Sequence, residues 1–193
     1  MKTKNILLLL LVICIEDNLT SSAELPTVYE YYTKGGIKSG LEAKGNYFKL
    51  NGKELRILSS SLHYFRVLPE QWKDRLLKMK AVGLNTVQLY SPWNSHEEHP
   101  GEFNFENELD LDKFLTEIKN MDMLAVYRPG PYICAEWENG GIPAWLYRDP
   151  KLTIRTNYGL FMNATANYFN KLAPIVKSMF IDEKINCKND LIH

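Results

Sequence analysis

The chain has 193 residues, 23 Lys and Arg against 23 Asp and Glu, and is 45% hydrophobic and 12% aromatic. That apolar content suffices for a packed core and excludes disorder as its general state. The balanced charge lacks the basic excess of a nucleic-acid binder. Beyond the first fifteen residues no run is long and apolar enough to cross a membrane.

Met1-Lys2-Thr3-Lys4, an apolar run from Ile6 to Ile15, and Ser21-Ser22-Ala23 have the form of a secretory signal peptide: basic start, short apolar stretch, small residues at the cleavage site. Residues 1–23 are therefore expected to be removed, and the rest to enter the secretory pathway. Asn163-Ala164-Thr165 is a sequon, which makes Asn163 the candidate glycosylation site. Asn18-Leu19-Thr20 falls within the removed segment. Cys14 leaves with it, and Cys134 and Cys187 are too few for a disulfide scaffold. Whether they pair is open.

Residues 24–54 read as an N-terminal arm closing in a hairpin, because Asn51-Gly52 lies between alternating runs. Residues 56–62 form a strand candidate. Trp72, Leu76 and Met79, with Leu77 and Val82 offset by one, mark a helical stripe that Gly83 is placed to end. Thr86–Tyr90 is a strand stopped by Pro92. Leu111, Phe114, Leu115 and Ile118 lie on one face of a helix spanning 109–123. Residues 123–127 are a third strand, stopped by Pro129 and Pro131, and 158–176 a third helix, kinked or ended near Pro174. The order β-α-β-α-β-α argues for an α/β fold with a parallel sheet whose strands are buried on both sides. Trp72, Phe114 and Phe161 are expected in the core. Each strand runs into a long polar and aromatic segment, whereas turns from helix to strand are short. That asymmetry puts the chemistry at the carboxyl ends of the strands, as in an α/β barrel.

Tyr127 to Ala144 is dense in Pro, Gly and aromatics and implies a rigid loop. Tryptophans beside carboxylates suit a sugar site. Glu136 and Glu138 have the look of a catalytic pair, since residues two apart in an extended segment point the same way. Carboxylates that flank a scissile bond rarely come from one strand, however, and the preferred reading has one bind ligand and the other satisfy loop backbone or an arginine. His96-Glu97-Glu98-His99 has its histidines three apart, not the four of a zinc-protease helix, and reads as neutral loop histidines with no metal. His63 is either a hydroxyl ligand or a packed histidine. Cys134 lacks an evident His partner for nucleophilic work, and a buried small residue is the preferred reading.

Ser59-Ser60-Ser61-Leu62-His63-Tyr64-Phe65-Arg66, Trp72 to Lys80, Tyr90-Ser91-Pro92-Trp93-Asn94 and Arg128-Pro129-Gly130-Pro131-Tyr132-Ile133-Cys134-Ala135-Glu136-Trp137-Glu138 resemble the N-terminal part of a glycoside hydrolase family 35 β-galactosidase. The resemblance runs from about residue 29 to 176. It implies a (β/α)₈ TIM barrel, retaining hydrolysis of terminal β-galactose, a lysosomal or extracellular setting, and no metal or organic cofactor. It implies substrate contacts at Tyr90 and along Ile133, Cys134, Ala135 and Glu136, with Glu136 accepting bonds from sugar hydroxyls. β-Galactoside sugars are the implied partners, with no nucleic acid, no membrane after signal removal, and an open oligomeric state.

In the family the third helix leads to a fourth strand ending in Glu-Asn-Glu-Tyr, whose second Glu is the acid/base, and the nucleophile Glu follows later. Residues 177–193 hold no such motif, and Glu183 stands in no matching context. Residues 55–176 supply three β-α units of about forty residues each, whereas a barrel needs eight. The expectation is an incomplete barrel: a short N-terminal hairpin arm, a partial catalytic domain over 55–176 and an off-pattern tail over 177–193. Such a product is expected to be inactive alone. The alternative is a non-catalytic galactose-binding or interaction protein using the half-site.

Overall fold

Thr27 opens the first helix in the computed structural model, which describes residues 25–177 and 179. The signal segment, Cys187 and nearly all of the tail lie outside the described residues. Thr27 and Glu30 form a capping box: Glu30 N–H donates to Thr27 Oγ1 at 3.1 Å, and Thr27 N–H to Glu30 Oε2 at 2.9 Å. The resulting helix α1 (Val28–Thr33) was not expected from the sequence, because its tyrosines mask any apolar stripe.

Strands β1 (Leu41–Lys44), β2 (Tyr47–Leu50) and β3 (Lys53–Leu55) form an antiparallel sheet. Asn51 and Gly52 make the β2–β3 turn with φ of 51° and 78°, both left-handed as a type I′ turn requires. The Asn51 side chain also holds the arm together. Its oxygen accepts from Lys38 N–H (2.7 Å) and Ser39 N–H (3.2 Å), and its amide donates to the carbonyls of Tyr32 (2.7 Å) and Gly36 (2.9 Å).

Strands β4 (Ser59–Ser61), β5 (Thr86–Tyr90) and β6 (Leu124–Arg128) form a parallel sheet in that spatial order. Asn85 aligns all three at their amino ends. It accepts from Leu58 N–H, donates to Arg56 O, and offers its own carbonyl to Leu124 N–H, at 2.8–2.9 Å. Helix α2 (Pro69–Ala81) starts on a proline at its first position and ends before Gly83 at φ 88°. After the short α3 (Trp93–His96), helix α4 (Leu111–Asn120) is capped by Asp110, whose carboxylate accepts from Lys113 N–H at 2.9 Å. Helix α5 (Gly159–Lys177) runs through Pro174 and buries Phe161, Thr165, Tyr168, Leu172 and Val176 along one stripe.

The core lies between the helices and one face of the parallel sheet. Val87 and Leu89 of β5 enter it, with Trp72, Phe114 and Trp93 fully buried beside them. Trp72 and Phe114 meet edge to face at 5.2 Å, and Trp93 stacks on Tyr168 at 5.2 Å. The expectation that every strand is buried on both sides holds for β5 alone. All of β4 is exposed, and so are Ala125, Val126 and Arg128 of β6. These are edge strands, and among the described residues the second sheet face has no covering layer.

A chain of polar groups crosses the core. Tyr64 OH lies 2.9 Å from Ser91 Oγ and 2.6 Å from His96 Nε2, Ser91 Oγ lies 2.8 Å from Tyr127 OH, and His96 Nδ1 lies 2.7 Å from Asn104 O. A carbonyl only accepts, so Nδ1 carries the hydrogen and Nε2 accepts from Tyr64. His96 is therefore a buried neutral residue of a short helix, and the loop-histidine reading is corrected in place though not in charge. Burial pulls its pKa down to about 4, only partly offset by the bond to Asn104.

An unfolded histidine titrates near 6.5 and binds more protons than the native one between there and about 4. Stability should thus fall as pH drops through that window, by about 3 kcal/mol from this group, and lose nothing further from it below. Denaturant unfolding of the wild type and His96→Gln across pH 7 to 4 checks this: the variant should be less stable at pH 7 but flatter with pH.

Candidate active site at the carboxyl ends of the parallel strands

Three strand ends converge here. His63 follows β4, Tyr90 ends β5 and Arg128 ends β6. The Arg128 guanidinium sits 4.4 Å from the centre of the Tyr90 ring, and His63 packs at 5.4 Å against both Tyr90 and Phe65. Burial, and secondarily the Arg66 cation, hold His63 below the ordinary imidazole range, while Glu136 pulls the other way. His63 is thus a half-buried neutral imidazole whose Nδ1 has no partner among the described residues.

The loop after β6 supplies the remainder. Ile133 and Ala135 are buried and join Tyr90 in a small cluster with Phe65 and Trp137. Cys134 and Glu136 alternate with them and are exposed. The reading of Cys134 as a buried residue is overturned: Ile133 and Ala135 are buried, whereas Cys134 between them is exposed. Among the described residues Cys134 is the one cysteine, so pairing with Cys187 falls outside them. Glu136 has φ of 44°, a left-handed conformation unusual for a non-glycine residue. The alternation therefore ends there, and the argument that Glu136 and Glu138 point the same way does not apply. Glu138 instead leads a 3₁₀ turn, Glu138–Gly141.

Arg66 fixes this loop. Its guanidinium donates to the carbonyls of Ala135 and, at 3.0 Å, Glu136, and it lies 5.3 Å from the Trp137 ring and 5.5 Å from Phe65. Trp137 meets Phe65 edge to face at 4.8 Å and donates its indole N–H to Asn94 Oδ1 at 3.0 Å. Behind them Ile133 N–H bonds to Gly140 O at 2.8 Å. Gly140 is left-handed, and any Cβ there would lie 2.1 Å from the Tyr132 ring. Arg66 had no role in the sequence reading. Its signal was only its place three residues after His63.

The remaining candidates sit elsewhere. Asn163 is exposed on α5. His96 and His99 do not come together: the first is buried, the second exposed, and no metal-type cluster occurs among the described residues. Glu97 is buried, with its carboxylate oxygens accepting from the Trp93 indole (2.6 Å) and Gly101 N–H (2.8 Å).

These features define an α/β protein with a polar, aromatic-walled site at the strand ends. The family model "Glycosyl hydrolases family 35" matches residues 47–184, and the chain belongs to that family. It is 52% identical over 127 residues to "Beta-galactosidase-1-like protein" of Mus musculus, covering 66% of this chain and 20% of that one. It is 48% identical over 133 residues to "Beta-galactosidase-1-like protein 2" of Homo sapiens (69% and 21%), and 44% identical over 134 residues to "Beta-galactosidase" of Felis catus (69% and 20%). The chain spans about a fifth of the length of these curated relatives.

Replacing Arg66 removes both bonds to the loop. Arg66→Ala should speed hydrogen exchange at the Ile133 amide by about tenfold, the value of one or two charge-assisted bonds at a partly exposed site. Exchange in α2 should stay unchanged. Arg66→Lys should recover little, because an ammonium cannot reproduce the planar fork.

Proposed function

We propose that this chain supplies the galactose-recognising part of a family 35 β-galactosidase site, for substrates bearing a terminal β-galactose. Residues 55–176 would be the first three β-α units of a (β/α)₈ catalytic domain, with residues 24–54 as its hairpin arm and 177–193 as a tail. The strand order β4-β5-β6 supports this, since barrel strands neighbour one another in chain order. The names of the relatives support the substrate class. The signal-like start supports a secretory route to the lysosome or cell exterior.

The observation that carries the reading is the convergence of Tyr90 with the Arg66-held loop, on which the exposed Glu136 precedes Trp137 and lies close enough to His63 for its charge to act on that imidazole. A carboxylate accepts bonds from sugar hydroxyls, and aromatic faces take the apolar C–H side of a pyranose. His63 adds a neutral imidazole beside Tyr90. In this arrangement Glu136 binds and orients the sugar while Tyr90 and the buried backbone of Ile133 and Ala135 form the wall. Cys134, on the exposed side, borders the same space.

Retaining hydrolysis needs an acid/base and a nucleophile about 5–5.5 Å apart, flanking the scissile bond. Glu136 is taken up as the binding carboxylate, and Glu138 begins a turn on the same loop. The 193 residues alone are therefore expected to bind galactose without cleaving galactosides. A stable galactose-binding protein is the second reading, favoured by a loop whose own hydrogen bonds shape it without ligand.

Titration with galactose, followed by the Trp137 indole resonance, tests recognition. Tyr90→Phe and Glu136→Gln should each weaken binding, Glu136→Gln by about tenfold or more for the lost charge-assisted bonds. A nitrophenyl β-galactoside should not be turned over by the purified chain. Turnover that persists after removal of any longer galactosidase and disappears in Glu136→Gln would overturn the expected inactivity. Wild-type resonances that ignore galactose would overturn the recognition itself.

A further inference from the structure

We propose that Asn163 carries an N-linked glycan whose first N-acetylglucosamine lies in a groove along α5, forming a fixed part of the protein surface. The groove encloses about 500 Å³ and shares no lining residue with the site at the strand ends. Asn163 itself lines it, so an attached sugar begins inside the groove instead of having to find it.

The walls match the chemistry of that sugar. Asn163, Asn167 and Asn170 stand at i, i+4 and i+7, along one face of α5. The amides of Asn167 and Asn170 both donate and accept, as hydroxyls and an acetamido group require. Facing them are Phe103 and Trp145, whose rings suit the C–H face and acetyl methyl of N-acetylglucosamine. Lys171 closes one end, its ammonium 5.7 Å from the centre of the Phe103 ring. Glu97 also lines the groove, but its carboxylate already accepts from Trp93 and Gly101. Paired amides opposite aromatic rings favour a neutral polyol over an ionic ligand.

The third residue of the sequon dates the modification. Thr165 is 8% exposed, and its hydroxyl is buried without a partner among the described residues. The acceptor motif requires that hydroxyl, and Asn163 and Thr165 face opposite ways once α5 is packed. Transfer must therefore precede docking of α5 onto the core. In that step Asn163 Nδ2 bonds to C1 of an oligosaccharide carried on a lipid diphosphate. The C1–O bond to the diphosphate breaks, the lipid diphosphate departs, and one amide proton is released. The inference needs passage through a compartment holding that donor and is independent of the galactosidase reading.

The test expresses residues 1–193 in a secreting eukaryotic cell. Enzymatic removal of glycans in ¹⁸O-water should place the heavy-oxygen tag on residue 163, and Asn163→Gln or Thr165→Ala should abolish it. The glycan is then trimmed to a single N-acetylglucosamine. Its acetyl methyl proton should resonate upfield of its position in the unfolded glycopeptide, because the Phe103 and Trp145 rings shield it. Phe103→Ala should return it toward the unfolded position. Asn167→Ala, at an exposed position that leaves the core intact, should shift it in the same direction. Secreted protein with an unmodified Asn163 overturns the site. A modified Asn163 whose acetyl resonance sits at the unfolded position overturns the docking.

Discussion

The Arg66 guanidinium joins the segment after β4 to the loop after β6, and the geometry of the site depends on that bridge. Glu136 sits in a left-handed conformation that costs a non-glycine residue of order 1–3 kcal/mol. Such a residue persists only where its surroundings over-determine it. Here Arg66 holds the carbonyls on both sides of it, Trp137 is pinned to Asn94, and Gly140 permits the close approach of Tyr132. The loop arrives at its shape through bonds to two other strand ends. Glu136 is therefore positioned by the sheet as a whole, although it lies on a connection.

Behind the sheet the constraint is different. Tyr127, Ser91, Tyr64 and His96 form a chain whose donors are ordered from one end by the Asn104 carbonyl. Tyr127 and Tyr64 both have pKa values raised by burial, so both stay protonated and can donate. Each hydroxyl donates to the next acceptor, which satisfies polar atoms that would otherwise be costly to bury. The chain runs from the middle of β6 across the residue after β5 to the turn after β4, so it locks on the core side the same three strand ends that carry the site. The core-side network and the Arg66 bridge hold one register from opposite faces.

The regular elements were legible because their signals are local and redundant. Thr86–Tyr90 follows from β-branched and apolar residues stopped by Pro92, and the α4 stripe from the spacing of Leu111, Phe114, Leu115 and Ile118. Asn51-Gly52 fixed its turn because few other pairs accept two positive φ angles. The α1 helix was not legible: its capping box spans only four residues and its helix six. The site was partly legible. Tyr90 and the Ile133–Glu136 segment stand out by motif, yet the side on which each residue faces does not. Cys134 is exposed between the buried Ile133 and Ala135, just ahead of the left-handed Glu136, whose flanking carbonyls are held by Arg66, about seventy residues earlier in the chain. Long-range hydrogen bonds of this kind leave no periodic trace in a sequence.

Among the described residues, two polar atoms short of partners lie on the open side of the parallel sheet, while a third, the Thr165 hydroxyl, is buried with α5 against the core. On the core face of the parallel sheet the apolar side chains interlock, and the hydroxyls of Tyr64, Ser91 and Tyr127 are paired. On the other face the Gln88 amide and the His63 ring nitrogen are buried at the atom level with no partner among the described residues. Each such group costs about 1–3 kcal/mol relative to a satisfied one. Gln88 lies on β5, and His63 follows β4 and packs beside Tyr90. Groups left short of partners on this side gain from whatever supplies them with hydrogen-bond partners, since the desolvation cost is then repaid.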